Sequence, residues 1–321
     1  MSFPVFDLHC DTASVLTGRD FRGEGKLYKN TGHIDLERAG KLPGFAQCFA
    51  CFTTDWKKLP PNVRVEDIFE QQLAVILREL NENSSCIRQA FSTEDVESNR
   101  KAGRMSAVLT IEGPVGFGCQ PEMLDDLYRI GFRITSLGWN EKNVLTGSHV
   151  TGGGLTDQGK EFVKEAQRVG MLIDVSHISD EGFWDLMDIT QAPILATHSN
   201  SRAMWNSSRN LTDDMFRQIC KTGGVAGFNQ YAEFVGRQPD LDTACDHILH
   251  FLEMDPEGKH IALGGDLDGC DVLVDGFQDV SDYPKLAERL LQRGAGEEIV
   301  SNIFWNNALR MMSCAVPNKN K

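Results

Sequence analysis

Eight short apolar runs, most separated by stretches of helical periodicity, predict an α/β chain folded as a single (β/α)8 (TIM) barrel. Length agrees, since 321 residues exceed most single domains but suit one barrel, a unit of roughly 250 residues or more. The third observation is the placement of the chemistry-bearing side chains. Histidines and carboxylates end several of the runs, and a barrel gathers those ends at one mouth, the C-terminal face where active sites of this architecture lie.

In chain order the runs are Val5–Asp11, Phe45–Phe52, Ser106–Glu112, Phe132–Leu137, Met171–Ser176, Pro193–Thr197, Gly224–Phe228 and His260–Asp266. Between them, Val65–Asn81, Pro121–Ile130, Thr156–Val169, Asp180–Met187, Thr212–Lys221 and Asp240–Met254 repeat apolar residues at helical spacing, as Leu73, Ile76, Leu77 and Leu80 do. Thr156 ahead of Gln158, Thr212 ahead of Asp213-Asp214, and Ser179-Asp180 ahead of Glu181 supply capping chemistry. Pro284–Gln292 and Glu297–Met312 read as closing helices. No linker or repeat divides the chain, so one domain is expected over residues 1–321. The longest stretches without periodicity, Thr17–Pro43 and Asn140–Leu155, both follow strands and become loops on the active face.

Composition narrows the function. An apolar share of 41% describes a chain with an ordinary core, and a net charge of −14 without Lys/Arg clusters excludes nucleic acid as a partner. The start, Phe3-Pro4-Val5-Phe6, carries neither a basic leader nor a long apolar segment, so neither export nor a membrane anchor is expected and a cytoplasmic location follows. Nine cysteines, an odd number widely scattered, fit reduced thiols better than a disulfide framework. Cys48 and Cys51 form a lone CxxC inside the apolar run Gly44–Phe52, where buried strand thiols are the plainer reading than a redox or zinc pair.

The residues at the strand ends are His9, Asp11, Glu112, His177, His198 and Asp266. His9 and Asp11 are two apart, so the pleat points both the same way, as two ligands of one metal require. Glu112 ends the apolar run Ala107–Ile111, where a carboxylate is costly unless it meets a cation or hydrogen-bond donors. Neutral imidazoles at His177 and His198 suit zinc. Any one of these is weak evidence; their joint placement at one mouth is not. His33 sits where Asp35 caps a helix, and His247, His250 and His260 stand at helix or strand-start positions, so none of these four is read as a ligand.

An ordered set of motifs resembles the membrane (renal) dipeptidase family of zinc peptidases, peptidase family M19, within the amidohydrolase superfamily. The set comprises Asp7-Leu8-His9-Cys10-Asp11-Thr12, Ile111-Glu112-Gly113, Gly154–Gly159, Ile173–His177, Thr197-His198-Ser199, Arg209-Asn210 and Gly264–Gly269, with Asp279–Pro284 and Asn306–Arg310 near the end. The resemblance implies two Zn2+ per chain, one held by His9 and Asp11, the other by His177 and His198, with Glu112 bridging. It casts Asp266, ahead of its neighbour Asp268, as the proton-handling carboxylate, and Arg209 as the partner of the substrate's terminal carboxylate. It also implies a homodimer. One departure is visible: where many members carry a histidine that steadies the substrate carbonyl, this chain has Trp139, whose indole donates one hydrogen bond but cannot become cationic. His149, in the Gly-rich loop, is the alternative donor from another direction.

The implied activity is a dipeptidase that attacks the peptide bond of small dipeptides, including those with a D-residue at the C-terminal position, with a water shared between two zinc ions. Asp266 shuttles the proton, and the planar fork of Arg209 measures substrate length by gripping a carboxylate. Two rivals share the residues. One is another metal hydrolase of the superfamily acting on a lactone, an N-acyl amino acid or a cyclic amide; the other is a barrel that binds without turnover.

Overall fold

The computed structural model describes residues 2–18, 22–54, 59 and 62–317. Among the described residues there are nine strands: β1 (Val5–Cys10), β2 (Phe45–Phe52), β3 (Ile87–Gln89), β4 (Met105–Glu112), β5 (Phe132–Ser136), β6 (Leu172–Asp174), β7 (Ile194–Ala196), β8 (Val225–Phe228) and β9 (Ile261–Leu263). These strands pair with one another in parallel. Eight strands close into a barrel, because β2 pairs directly with β4 as well as with β1, and β9 returns to β1.

The expected alternation is therefore present, with one addition. The ninth strand, β3, lies against the first residues of β4, outside the closed ring. It and the following helix, Thr93–Lys101, are absent from the sequence reading because they bury little: Ile87 alone in the strand, Val96 and Asn99 in the helix. Amphipathic periodicity needs more apolar positions than that. The run expected over Glu297–Met312 is one helical path containing a π turn at Asn302–Asn306, which lets Asn307 donate to the Gly258 and Ile261 carbonyls. Of the expected loop Thr17–Pro43, residues 19–21 lie outside the described residues.

Strands β6, β7 and β9 are shorter than their apolar runs, and buried acids explain it. Asp174 accepts hydrogen bonds from the Ser176 and Thr197 backbone N–H groups, and Asp7 from that of Gly265, so these amides leave the ladder and the chain turns outward. The expected caps form: Thr156, Ser179 and Thr212 each accept from the third residue of their helices.

Alternate residues of the strands fall into two clusters. Phe6, Leu8, Ala46, Cys48, Val108, Ile134, Leu172, Leu195, Val225 and Ala262 draw on every barrel strand and so form its interior. Trp305, Ala308, Met311 and Met312 of the closing helix join them, with Trp305 packed on Phe6 at 5.7 Å between rings. Cys51 belongs instead to the outer cluster under the helices. The CxxC pair thus points to opposite faces of β2, as an odd spacing in a strand dictates, and all nine cysteines are free. Among the described residues no helix is long and apolar enough to cross a membrane.

Trp305 seals the end of the barrel opposite the histidine cluster. Trp305→Ala is expected to lower unfolding free energy by about 3–5 kcal/mol in urea titration, as loss of a large buried aromatic does. A loss below about 1 kcal/mol would show that the base is not packed by this ring.

Candidate metal centre

At the other end, a local irregularity aims the first candidate side chain, His9. Between the pairs Asp7↔Gln47 and Cys10↔Phe49, β1 carries one residue more than β2, and this bulge turns His9 to the same inner side as Leu8. Asp11 follows at the start of helix Thr12–Thr17. Glu112 ends β4, His177 and His198 stand just past β6 and β7, and Asp266 lies beyond β9.

The six side chains meet. His9 Nε2 lies 3.3 Å from Asp11 Oδ2, 3.4 Å from Glu112 Oε2 and 3.8 Å from Asp266 Oδ1. The other oxygen of Glu112, Oε1, lies 2.9 Å from His177 Nε2 and 3.5 Å from His198 Nε2. Two triples, His9/Glu112/His198 and His9/Asp11/Asp266, have ligand atoms close enough to share an ion. The donor set fits divalent metal on a further ground. His177 Nε2 and His198 Nε2 face each other at 3.1 Å, while Asp11 Oδ1 is buried without a hydrogen-bond partner among the described residues. Facing lone pairs and an orphaned carboxylate oxygen are what a cation relieves.

Outer groups set each ring. His198 Nδ1 meets Thr197 Oγ1 at 2.7 Å, and that hydroxyl donates to Asp174. His177 Nδ1 meets Asn140 Oδ1 at 2.8 Å. With Nδ1 protonated in both, Nε2 is bare toward the centre. Asp266 Oδ2 accepts from Asn229 Nδ2, leaving Oδ1 turned to His9. Asp268 is different: Thr12 Oγ1 donates to one oxygen and the His33 backbone N–H to the other, while the Asp268 N–H donates to His33 Nδ1. His33, His247 and His260 all bond to protein groups outside the cluster, and His250 pairs with Asp213.

The backbone is forced here. His177, Asp266 and Asp268 all have φ between 56° and 72°, the left-handed region that non-glycine residues rarely occupy. A Cβ at Gly269 would sit 2.2 Å from Asp11 Oδ2 and 2.4 Å from Asp266 Oδ1, so only glycine lets this loop close over two carboxylates.

Electrostatics follow burial. Burial pushes Glu112 up to about 7, with the Asp11 charge adding to it and His9 opposing. Burial would pull His9 down, but Glu112 and Asp11 outweigh it and hold the ring well above its usual value. His177 and His198 are held well below theirs, first by burial and then by nearby positive charge. Asp266 is raised by burial.

Arg209 is only 3% exposed, and its Nη1 donates to Ser199 Oγ at 2.6 Å. Its Nε and Nη2 have no hydrogen-bond partner among the described residues, although the guanidinium lies within the field of Asp266, Asp174 and Glu112. Phe234 lies 5.7 Å beneath it. Phe234 also lines a cavity of about 240 Å³ together with Phe52, Glu112, Trp139, Asn140, His177, Tyr231 and Asp266. Trp139 meets Phe52 edge-on at 5.2 Å. His149 lies behind Asn140, with Nε2 held by Asn140 Oδ1 and Nδ1 by Ser208, and burial lowers it to about 4. Asn140, Asn229 and Asp174 carry no metal-ligand signature in the sequence. Their signal is positional, since each ends or shortly follows a barrel strand on the active face.

The sequence matches the membrane dipeptidase family over residues 1–321. An uncharacterized dipeptidase of Schizosaccharomyces pombe is 33% identical over 214 residues, 64% of this chain and 52% of the relative, so the chain spans about half the length of that protein. An uncharacterized protein of Klebsiella pneumoniae, named for the 5′ region of pqqA, is 34% identical over 260 residues, 77% of this chain and 95% of the relative. A solved metallopeptidase from Rhodobacter sphaeroides, liganded with a phosphinate mimic of the dipeptide L-Ala-D-Ala, shares the barrel with a TM-score of 0.87 at 23% identity, covering 98% of this chain and 100% of that one. The motifs that pointed to this family at the level of residues thus coincide with a match along the whole length, and the chain belongs to the membrane dipeptidase family, peptidase family M19, a family of metallopeptidases.

Proposed function

We propose that this chain is a dipeptidase with two zinc ions, hydrolysing the peptide bond of free dipeptides. The observation that carries the two-metal reading is the split of Glu112, whose Oε2 faces His9 while its Oε1 faces His177 and His198. His9 and Asp11 would hold one ion and His177 and His198 the other, with Glu112 shared between them. Bound there, the pair supplies a Lewis acid and acidifies water near neutral pH.

The chain's own residues do the rest. Asp266 Oδ1 takes the proton as the water oxygen bonds to the carbonyl carbon, and returns it to nitrogen as the C–N bond breaks. Asp268 is unsuited to that task because both its oxygens are already engaged. Arg209 offers to a C-terminal carboxylate two N–H-bearing nitrogens that have no partner among the described residues, which favours a dipeptide over a longer chain, a lactone or a cyclic amide. Trp139 and Phe52 wall the cavity, and His149 acts on substrate through Asn140. The L-Ala-D-Ala mimic held by the Rhodobacter metallopeptidase supports extending the substrates to a C-terminal D-residue.

Elemental analysis should find two zinc ions in wild type and fewer in Glu112→Gln. Full peptidase activity in exhaustively chelated protein would remove the metal-dependent reading altogether.

Asp266→Asn is expected to keep its metal while kcat falls by about 10²-fold or more. Steady-state kinetics that spare Asp266→Asn and cripple Asp268→Asn would reverse the assignment.

Arg209→Met should lower kcat/KM for free dipeptides by roughly 30- to 1,000-fold, the equivalent of a desolvated bidentate contact of about 2–4 kcal/mol. C-terminally amidated dipeptides, which never had that contact, should lose far less. Equal loss on acid and amide would sink the carboxylate reading and favour a lactone or cyclic amide substrate.

A further inference from the structure

Building on the two-metal dipeptidase reading, we propose that Asn140 is a catalytic residue whose carboxamide N–H donates to the oxygen of the scissile carbonyl. It would thereby fill the place left by the family histidine that Trp139 replaces.

The orientation of the amide follows from donor counting. A His177 that offers Nε2 to a metal carries its proton on Nδ1, so the Asn140 atom 2.8 Å away is an acceptor, the carboxamide oxygen. The same oxygen lies 2.8 Å from His149 Nε2, and the other nitrogen of that ring accepts from Ser208 Oγ. Two N–H donors converging on one oxygen prevent the amide from turning over. Its Nδ2 is then directed away from both rings, and it has no hydrogen-bond partner among the described residues. Asn140 lines the cavity beside Glu112 and His177, so the free N–H2 group is offered to whatever occupies that space.

The support is rigid as well as polar. The Asn140 carbonyl accepts from Ser148 Oγ at 2.6 Å, and the His149 backbone N–H donates to the His177 carbonyl at 2.9 Å. The loop that carries Asn140 is therefore pinned to the turn that carries His177. A donor fixed before substrate arrives needs no reorganisation as charge builds on the carbonyl oxygen, which is the condition for oxyanion stabilisation. Trp139 has one indole N–H, but its ring is committed to the apolar wall against Phe52.

Asn140→Asp keeps an acceptor for both histidines and removes the donor. In zinc-loaded protein it should retain wild-type metal content and melting temperature, while kcat/KM for L-Ala-L-Ala falls about 10²- to 10³-fold with KM little changed. The Ki of a phosphinate dipeptide mimic should weaken by a similar factor. Asn140→Ala, which adds no charge, should lose a similar factor in turnover per bound metal. A merely structural tether gives another pattern, with Asn140→Ala losing metal and Asn140→Asp turning over at the wild-type rate with unchanged Ki. That result overturns the proposal, as does either variant reaching wild-type kcat. Wild-type protein inert toward every dipeptide would sink the dipeptidase reading and the donor role with it, whereas active wild type with a silent Asn140→Asp sinks the donor role alone.

Discussion

The arrangement of this mouth turns on one carboxylate. Glu112 ends a strand whose every residue is buried, in a position where a lone charge costs several kcal/mol. Its two oxygens look in different directions, one toward His9 and the other toward His177 and His198, and the remaining histidines and carboxylates of the mouth are disposed about that division. A single histidine could satisfy one side only. The need to compensate both sides at once is why side chains from opposite parts of the ring converge here, and why the strands that bring them must close into a barrel rather than an open sheet.

Bringing them together requires the backbone to depart from regular geometry. The bulge in β1 turns His9 inward, and the left-handed turns at His177 and Asp266 project side chains that an ordinary strand end would direct elsewhere. Such conformations cost on the order of 1–3 kcal/mol each. Buried acids outside this cluster of side chains hold them in place. Asp174 grips two backbone amides and the Thr197 hydroxyl that sets His198, while Asp7 takes the amide beside Asp266 and the hydroxyl of Tyr283. The sealed base of the barrel, with Trp305 on Phe6, supplies apolar stability well away from the strained turns.

Much of this was legible in the sequence, for definable reasons. Apolar runs mark strands buried on both faces, so all eight ring strands could be read, and a polar residue closing such a run stands out because burial makes it expensive. His9, Glu112 and His198 are legible on that ground. β3 and the helix Thr93–Lys101 were not, since one or two buried residues leave no periodicity to detect. The ends of β6, β7 and β9 were overestimated because the capture of backbone amides by Asp174 and Asp7 depends on contacts between distant segments. The same blindness applies to Asn140. An asparagine in a loop has no distinguishing spacing, and its importance becomes visible only when His149 and His177, 28 residues apart in number, converge on its oxygen.

What the fold leaves unpaired is as informative as what it pairs. Nε and Nη2 of Arg209, Oδ1 of Asp11 and Oγ of Ser14 are all buried without hydrogen-bond partners among the described residues, and an unsatisfied buried polar group costs about 1–3 kcal/mol, more when charged. A species bound at this mouth would satisfy them. Asp11 and Ser14 line the cavity together with Phe234, the ring that lies against the Arg209 guanidinium. Under the proposed reading, the Arg209 guanidinium and the carboxylates that line the cavity suit a small zwitterion better than a neutral ester or a long peptide. Under the proposed reading, substrate length is then set by the span between Arg209 and the metal cluster, since a chain extended beyond its second residue would present a neutral amide to the guanidinium and leave its charge unmatched.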